Sequence, residues 1–398
     1  MTFLGHSLKL MKWVGFQPAM MLVILCMMAS NATADDNIIK MAVAGPMTGS
    51  MAPMGEQMRR GAALGVEHLN AKGGINGRKI ELEVVNDRGD PKQAEVVARR
   101  LTKKGTQFVI GHYNSGPSIY ASEIYAKGGV LMVSPASTNP SFTERDPRFI
   151  EAPFLARNLW NTHRTSGRDD VQGTILGKYI AEKFNGKAVA FLYDGTGYGT
   201  GFVEKAESAL KASNADDGFA AIVKPGQTNF SSIINRMKKN GIEVVFFGGL
   251  GEDMGRLVQQ SHKAGFKPQF VAGDGIYTYD FTELAGSAAE GTLMAFSKDD
   301  RLGSSAWSVV KTLRDQGFEP EAYTLKAYAA VQVIAKGIEL AGTSEPKAVA
   351  GKIRSGIPIR TVLGMLTFDG LGDRIEPDVT LYVWRKDARG NIGPVPVE

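Results

Sequence analysis

Apolar stretches of strand length alternate with helical periodicity along most of this sequence, and no other feature restricts the possible folds as strongly. Met41–Ala44 is an apolar stretch typical of a buried strand, and Met58, Ala62, Val66 and Leu69 then recur at the spacing of one helical face. Further strands are predicted at Lys79–Val85, Phe108–Ile110 and Val130–Val133, with a helix predicted after Asp90-Pro91. Strands separated by helices indicate an α/β fold with a doubly wound, mostly parallel sheet.

The alternation starts again after Glu144–Arg164, a stretch without clear periodicity, and the restart predicts a second lobe of similar architecture. Strands of this second lobe are predicted at Ala188–Leu192, Phe219–Val223, Val244–Phe247 and Gln269–Ala272, with helices between them. We place the boundary between the lobes at residues 164 and 165, so that residues 35–164 begin the first lobe. After Gly291 the pattern predicts further helices and two late strands, but periodicity alone does not assign them to a lobe.

The first 34 residues have the pattern of a secretory signal peptide. Ala19–Met28 is an unbroken apolar stretch, too short to cross a bilayer, and Ala32-Thr33-Ala34 supplies the small residues of a cleavage site. We therefore expect residues 1–34 to be removed and the exported chain to begin near Asp35. The alternative is an uncleaved membrane anchor. A lipoprotein signal is disfavoured, because the bulky Leu25 precedes Cys26.

The cysteine content and the charge exclude several classes of function. Cys26 is the only cysteine and would leave with the signal peptide, so we expect no disulfide, no thiolate nucleophile and no cysteine-bound metal. The formal net charge is +5, and the loss of Lys9 and Lys12 leaves +3. Such a small excess without basic clusters argues against a nucleic-acid partner.

Four loops follow the carboxyl ends of predicted strands, which is where open parallel sheets bind their ligands. They are Gly111–Gly116 and Ser134–Thr138 in the first lobe, and Tyr193–Gly199 and Gly273–Gly275 in the second. Ser115 and Thr138 would lie beside helix N-termini, whose free N–H groups suit a carboxylate. Asp274 on the opposite lobe suits an ammonium. Together these loops predict a receptor for a small zwitterion.

Each of these features also has a simpler interpretation. Ser115 and Thr138 could merely cap helices, and Asp274 could merely form a turn between two glycines. Gly195–Gly201 is rich in glycine, but it contains no G-x-G-x-x-G register and gives little support to nucleotide binding. No nucleophile elbow, zinc-protease motif or P-loop occurs, so we expect neither an enzyme nor a bound metal or cofactor.

Short motifs extend this interpretation over nearly the whole chain. They are Gly45–Gly49 (GPMTG), Asn70–Gly77 (NAKGGING), Asp90–Ala94 (DPKQA), Val109–His112 (VIGH), Pro135–Pro140 (PASTNP), Gly167–Asp170 with Gln172-Gly173, Tyr198-Gly199 and Ala289–Gly291. In this order they make the chain resemble the branched-chain amino-acid (leucine/isoleucine/valine) binding proteins of ABC importers. The resemblance implies a type I periplasmic binding protein, with two doubly wound lobes joined by three hinge crossings. Residues 165–290 would then form the second lobe, 291–362 would return to the first, and 363–398 would be a C-terminal segment of the second.

The resemblance also implies roles for individual residues. Ser115 and Thr138 would hold the α-carboxylate of an amino acid and help to bind its ammonium, together with the backbone carbonyl of Ala136. Ser137 lies in the same loop and is included in the expected site. Asp274 would complete the ammonium site, and Tyr198 would close over the ligand from the second lobe.

The side-chain pocket departs from the family pattern. Met54 stands where relatives often have an aromatic wall, and Leu250 stands where some have a tyrosine. The resemblance therefore implies an amino-acid ligand whose side chain differs from the small aliphatic set. It further implies a monomer in the periplasm that partners the permease subunits and ATPases of an ABC transporter. Two alternatives remain open, a ligand sensor for a signalling partner and an exported enzyme.

Overall fold

A computed structural model describes residues 1–2, 37–144, 159–213, 218–321, 323–376 and 379–397. Within it, Ile39–Glu398 forms one compact unit that contains two large sheets and a two-stranded hairpin. The predicted signal peptide and its cleavage site lie outside the described residues, as does most of the stretch Glu144–Arg164.

The first sheet has five strands in the order β2-β1-β3-β4-β5. In chain order its elements are β1 (Ile38–Gly45), α1 (Ala52–Ala71), β2 (Lys79–Asn86), α2 (Pro91–Lys103), β3 (Phe108–Gly111), α3 (Ser115–Lys127), β4 (Leu131–Ser134) and β5 (Thr162–Arg164). The pairings of β1 with β3, β3 with β4 and β4 with β5 are parallel. Strands β3 and β4 are buried along their whole length, as expected for a sheet covered by helices on both faces.

The second sheet has seven strands in the order β14-β13-β10-β9-β8-β6-β7. Its first part contains α4 (Asp169–Lys183), β6 (Val189–Tyr193), α5 (Gly197–Ala212), β7 (Phe219–Ile222), α6 (Ser231–Lys239), β8 (Val244–Gly248), α7 (Gly251–Lys263), β9 (Gln269–Ala272), α8 (Tyr279–Ala285) and β10 (Leu293–Phe296). The pairings from β7 through β10 are parallel.

The remaining chain packs on the first lobe and then completes the second sheet. It contains α9 (Trp307–Asp315), α10 (Thr324–Ala341), α11 (Pro346–Ile353), a small hairpin of β11 (Ile359–Thr361) and β12 (Gly364–Leu366), and the antiparallel strands β13 (Thr380–Lys386) and β14 (Ile392–Pro396). Helix α10 packs on α1 and on the first sheet. The chain therefore passes between the lobes three times, after β5, after β10 and before β13.

Helices α1 and α10 approach each other closely because glycine occurs at their contact. A Cβ atom on Gly61 would lie 2.0 Å from the carbonyl oxygen of Thr324, and one on Gly65 would lie 3.1 Å from Val331. The contact fixes the start of α10 against the first lobe, and this start carries two side chains that face the cleft between the lobes, Tyr323 and Lys326.

Three details of the predicted organisation are corrected by the strand pairings. Residues 162–164 form an edge strand of the first sheet, within a stretch expected to be irregular. Strand β10 pairs with β9 and β13, so the second lobe extends beyond residue 290. Residues 364–373 stay beside the first lobe, since β12 pairs with β11 and the Phe368 ring lies 6.3 Å from His163. The short strands involved carry too little periodicity to be assigned from sequence.

Candidate functional site

The loop after β4 is held in shape by hydroxyl groups inside the first lobe. Ser134 donates from its Oγ to the carbonyl oxygen of His112 at 2.7 Å, and it accepts from the backbone N–H groups of Ala136 at 3.2 Å and Ser137 at 2.9 Å. The hydroxyl of Ser137 is hydrogen-bonded to that of Ser118. Ser137 is fully buried, so its side chain secures the loop from within.

Ser115 and Thr138 join this loop to neighbouring elements. Ser115 begins helix α3, and its Oγ accepts a hydrogen bond from the N–H of Asn139 at 3.3 Å. The carbonyl of Thr138 accepts from the N–H of Asp169, at the start of α4, at 2.9 Å. Both side chains are almost completely buried at the interface between the lobes. The structure therefore brings Ser115, Ala136, Ser137 and Thr138 together.

Asp274 and Tyr198 meet on the second lobe. Tyr198 lies in the first turn of α5 and donates from its hydroxyl to Asp274 at 3.0 Å, while it accepts from the N–H of Gly275 at 3.0 Å. Its ring stacks on Phe202 with a centroid distance of 5.8 Å, which fixes the direction of the hydroxyl. Asp274 is 2% exposed, and burial raises the pKa of its carboxyl above the ordinary value.

Tyr323 connects Asp274 to the first lobe and was not predicted from the sequence. Its hydroxyl donates to the second carboxylate oxygen of Asp274 at 3.1 Å, and its backbone N–H donates to Gln57 at 3.1 Å. The Tyr113 ring meets the Tyr323 ring edge-on at 5.1 Å. Asp274 is thus held by one tyrosine from each lobe. No motif surrounds Tyr323 that would have marked it.

Asp169 is a second buried carboxylate in the same region, and the sequence indicated it only as part of the motif Gly167–Asp170. Its side chain is fully buried, and neither carboxylate oxygen has a hydrogen-bond partner among the described residues. Burial, followed by the charge of Asp274, raises the pKa of Asp169 well above its ordinary value, and the nearby Thr138 hydroxyl counteracts part of this shift. The Oε1 atom of Gln172 is likewise buried without a partner. Acceptors left open in this way suit a ligand that donates hydrogen bonds and carries positive charge.

The two expected pocket-wall residues come from opposite lobes. Met54 lies in the first turn of α1, with its Sδ 3.8 Å from Nε2 of Gln57. Leu250 precedes helix α7, and the neighbouring Gly249 carbonyl lies 2.6 Å from the Cβ position of Gly275. Met54 is linked to Asp274 through Gln57 and Tyr323, and Leu250 through Gly275.

A buried ionic cluster ties two of the interlobe crossings to the first-lobe loop. Arg164, at the end of β5, donates to the carbonyl oxygens of Ser137 at 2.7 Å and Asn139 at 3.1 Å. Its guanidinium lies 2.5 Å from Asp373, which also pairs with Arg168 at 2.6 Å. Burial acts to raise the pKa of Asp373, but the charges of Arg164 and Arg168 hold it below its ordinary value. Arg164 lies just before the first crossing and Asp373 lies before the last one. The cluster therefore fixes these two crossings to the loop after β4.

The comparisons with known proteins decide the family. A family model described as "Periplasmic binding protein" matches residues 38–389. The chain belongs to the periplasmic binding protein family. Leu/Ile/Val-binding protein homolog 2 of Brucella abortus is 41% identical over 92% of this chain and 96% of its own length. The leucine-, isoleucine-, valine-, threonine- and alanine-binding protein of Pseudomonas aeruginosa is 35% identical, over 90% of this chain and 93% of its own.

The fold of this periplasmic binding protein is shared with solved structures. The leucine-binding protein LivK of Thermotoga maritima superimposes with a TM-score of 0.79 at 23% identity, covering 90% of this chain and 97% of its own. The predicted family and the two-lobed type I fold are confirmed, and with them a role in binding solutes. Among the described residues, no helix is long and apolar enough to cross a membrane, and no cluster of three metal-ligating side chains is found.

Proposed function

We propose that this protein captures a free amino acid between its two lobes and delivers it to the permease of an ABC importer. The observation that carries the proposal is the position of Asp274, a buried carboxylate bonded at 3.0 and 3.1 Å by Tyr198 and Tyr323 from opposite lobes. A carboxylate held at the contact of two lobes is accessible to a ligand only while the lobes are apart. Closure around an ammonium group would then bury the charge pair.

The opposite end of the ligand would meet the first-lobe loop. Ser115 begins α3, and Thr138 lies one residue before Asn139, which links the two loops. Hydroxyl and backbone N–H donors beside a helix N-terminus favour an anion. The α-carboxylate would bind here, while Asp274 and Asp169 would take the α-ammonium from the other side. We assign Tyr198 to the closing side of the site, and Met54 and Leu250 to the side-chain pocket.

The crossings provide the hinge for this motion. In the part of the chain that the structure describes, three segments join the two sheets, and the cluster of Arg164, Arg168 and Asp373 binds two of them to the ligand loop. Rotation about such crossings is the usual way in which two-lobed binding proteins close. We further propose export to the periplasm with removal of residues 1–34, and partnership with permease subunits and ATPases.

A screen of amino acids by thermal shift tests the binding part of the proposal. At least one of the twenty should raise the Tm of the purified protein, because a ligand at 100 times its Kd adds about 2.7 kcal/mol to the stability. No rise with any amino acid would contradict the proposal. Loss of uptake of the same amino acid in a strain lacking the gene tests delivery, and unchanged uptake would leave a sensor as the better interpretation.

A further inference from the structure

The glycine-rich segment Gly195–Gly201 leads into helix α5 of the second lobe, and it lies against the first lobe. A Cβ atom on Gly197 would lie 3.6 Å from the backbone nitrogen of Gly116, in the first turn of α3. A Cβ atom on Gly201 would lie 2.5 Å from Nδ2 of Asn139, in the loop after β4. The start of α5 therefore meets the first lobe at positions without a side chain.

Asn139 is held firmly on the first lobe. Its backbone N–H donates to the Ser115 hydroxyl at 3.3 Å, and its carbonyl oxygen accepts from Arg164 at 3.1 Å. Its side-chain Oδ1 accepts from the N–H of Ser141 at 2.7 Å. Asn139 is 3% exposed. These three hydrogen bonds fix the direction of the remaining polar atom, Nδ2, which is a donor only.

The Nδ2 atom of Asn139 donates to the carbonyl oxygen of Gly197 at 2.5 Å, and this hydrogen bond joins the two lobes directly. In an α-helix the carbonyl of residue 197 points along the axis toward residue 201, on the same face. The three nearest atoms to a Cβ on Gly201 all belong to Asn139. Glycine at position 201 therefore leaves the space through which the Asn139 amide reaches the carbonyl of Gly197.

The same hydrogen bond lies between the two halves of the candidate site. Asn139 directly follows Thr138 on the first lobe, and Gly197 directly precedes Tyr198 on the second. The Tyr198 hydroxyl in turn donates to Asp274 at 3.0 Å. Because its two partners belong to different lobes, the bond forms only when the lobes are together, and it then sets the position of Tyr198 relative to the first-lobe loop.

We propose that Asn139 is a positioning residue that holds the lobes closed on the ligand, through a hydrogen bond to Gly197 that Gly201 makes possible. This inference rests on the proposed function and specifies one contact that retains the bound amino acid. The polar groups of Asn139 are all engaged with protein atoms, so it acts on the closed arrangement rather than on the ligand. Loss of the contact then speeds ligand release.

Asn139→Asp tests the contact, because an aspartate oxygen still accepts from the N–H of Ser141 while the second oxygen faces the carbonyl of Gly197 without a proton to donate. The amino acid that gives the largest thermal shift should bind at least about 5-fold more weakly, with a matching rise in its dissociation rate constant. The Tm of the ligand-free protein should stay unchanged. The matched control is Asn70→Asp, since Asn70 exchanges two hydrogen bonds of 2.9 Å with the backbone of Ile80 inside the first lobe. It should lower the Tm and preserve the dissociation rate.

Gly201→Ala tests the same contact from the other lobe. Alanine is the better helix former, so the variant should be at least as stable as the wild type without ligand. The added methyl group would displace the Asn139 amide when the lobes close, so affinity for the same amino acid should fall at least about 5-fold. Gly351→Ala is the matched control, because a Cβ there has nothing within 4 Å, and it should preserve the affinity. Stopped-flow kinetics and calorimetry measure these changes.

The outcomes separate this inference from the proposed function. Wild-type affinity and dissociation rate in Asn139→Asp or in Gly201→Ala would overturn the role of the contact, while amino-acid capture itself would stand. A fall in the Tm of ligand-free Asn139→Asp as large as that of Asn70→Asp would show that the bond is made without ligand, and would also overturn it. Absence of amino-acid binding by the wild-type protein would overturn both, since closure on a ligand presupposes the ligand.

Discussion

Asp274→Asn is expected to weaken amino-acid binding by roughly 30-fold to several thousand-fold. The substitution keeps the shape of the side chain but removes the charge that would face the ligand ammonium inside a closed cleft. Removal of one member of a desolvated charge pair typically costs about 2–5 kcal/mol. Asp274 is 2% exposed, and the side chains that donate hydrogen bonds to it, those of Tyr198, Tyr323 and Gln172, are all neutral. Isothermal titration of the folded variant measures the change.

Asp274 could also be a simple turn residue, and Asp387, an aspartate in an exposed turn, is the matched control for that interpretation. Asp387 accepts hydrogen bonds from the N–H groups of Arg389 and Asn391 in the exposed hairpin between β13 and β14. Asp387→Asn should leave the affinity unchanged. Glu144, expected from the sequence to be remote from the cleft, is a poorer control because it pairs with Arg168 at 2.8 Å beside the hinge cluster. Wild-type affinity in Asp274→Asn would remove the ammonium assignment and leave Asp274 as a turn residue.

Arg164→Met is expected to lower the free energy of unfolding by about 3–5 kcal/mol, the usual consequence of breaking a buried ion pair. The substitution leaves Asp373 paired with Arg168 alone, and it removes the donors to the carbonyl oxygens of Ser137 and Asn139. Urea unfolding followed by circular dichroism measures the loss. Because the same donors hold the ligand loop, the folded fraction should also bind its amino acid more weakly.

Arg314→Met is the corresponding control on the surface. Arg314 pairs with Glu319 at 2.7 Å, but both side chains are about half exposed, and exposed pairs contribute at most about 1 kcal/mol. If Arg164→Met does not accumulate as folded protein, Asp373→Asn removes one charge of the cluster with less change in volume and tests the same contacts. Stability equal to that of the wild type in both variants would contradict a supporting role for the cluster.

The sequence predicted the fold well where an element has an apolar stretch or a recognisable cap. The strand Phe108–Gly111 and the helix Pro91–Lys103 follow directly from local periodicity and from the cap at Asp90, whose side chain accepts from the N–H of Gln93 at 2.7 Å. Strands β5 and β11 were missed because each is only three residues long and mostly polar, so neither has the apolar stretch that marks Phe108–Gly111. The predicted end of the second lobe at residue 290 was wrong for a different reason. Strand β10 belongs to the second sheet partly through its pairing with β13, which lies far away in the sequence.

In the candidate site, too, residues marked by the local sequence were predicted, and residues placed by long-range contacts were missed. Ser115, Thr138 and Asp274 follow strand ends, and the rule for ligand positions in parallel sheets was sufficient to propose them. Tyr323 reaches Asp274 only because α10 packs on α1 through Gly61, a contact between distant parts of the chain. The unpartnered oxygens of Asp169 became visible only when the burial of each atom was known.

Recognition of an amino acid by both of its charged ends is tested most directly by titration with three matched compounds. They are the amino acid that gives the largest thermal shift, its analogue without the α-ammonium and its analogue without the α-carboxylate. Both analogues are expected to bind at least about 30-fold more weakly than the parent, because each leaves one buried polar end of the cleft unpaired. Binding of either analogue as tightly as the parent amino acid would contradict it.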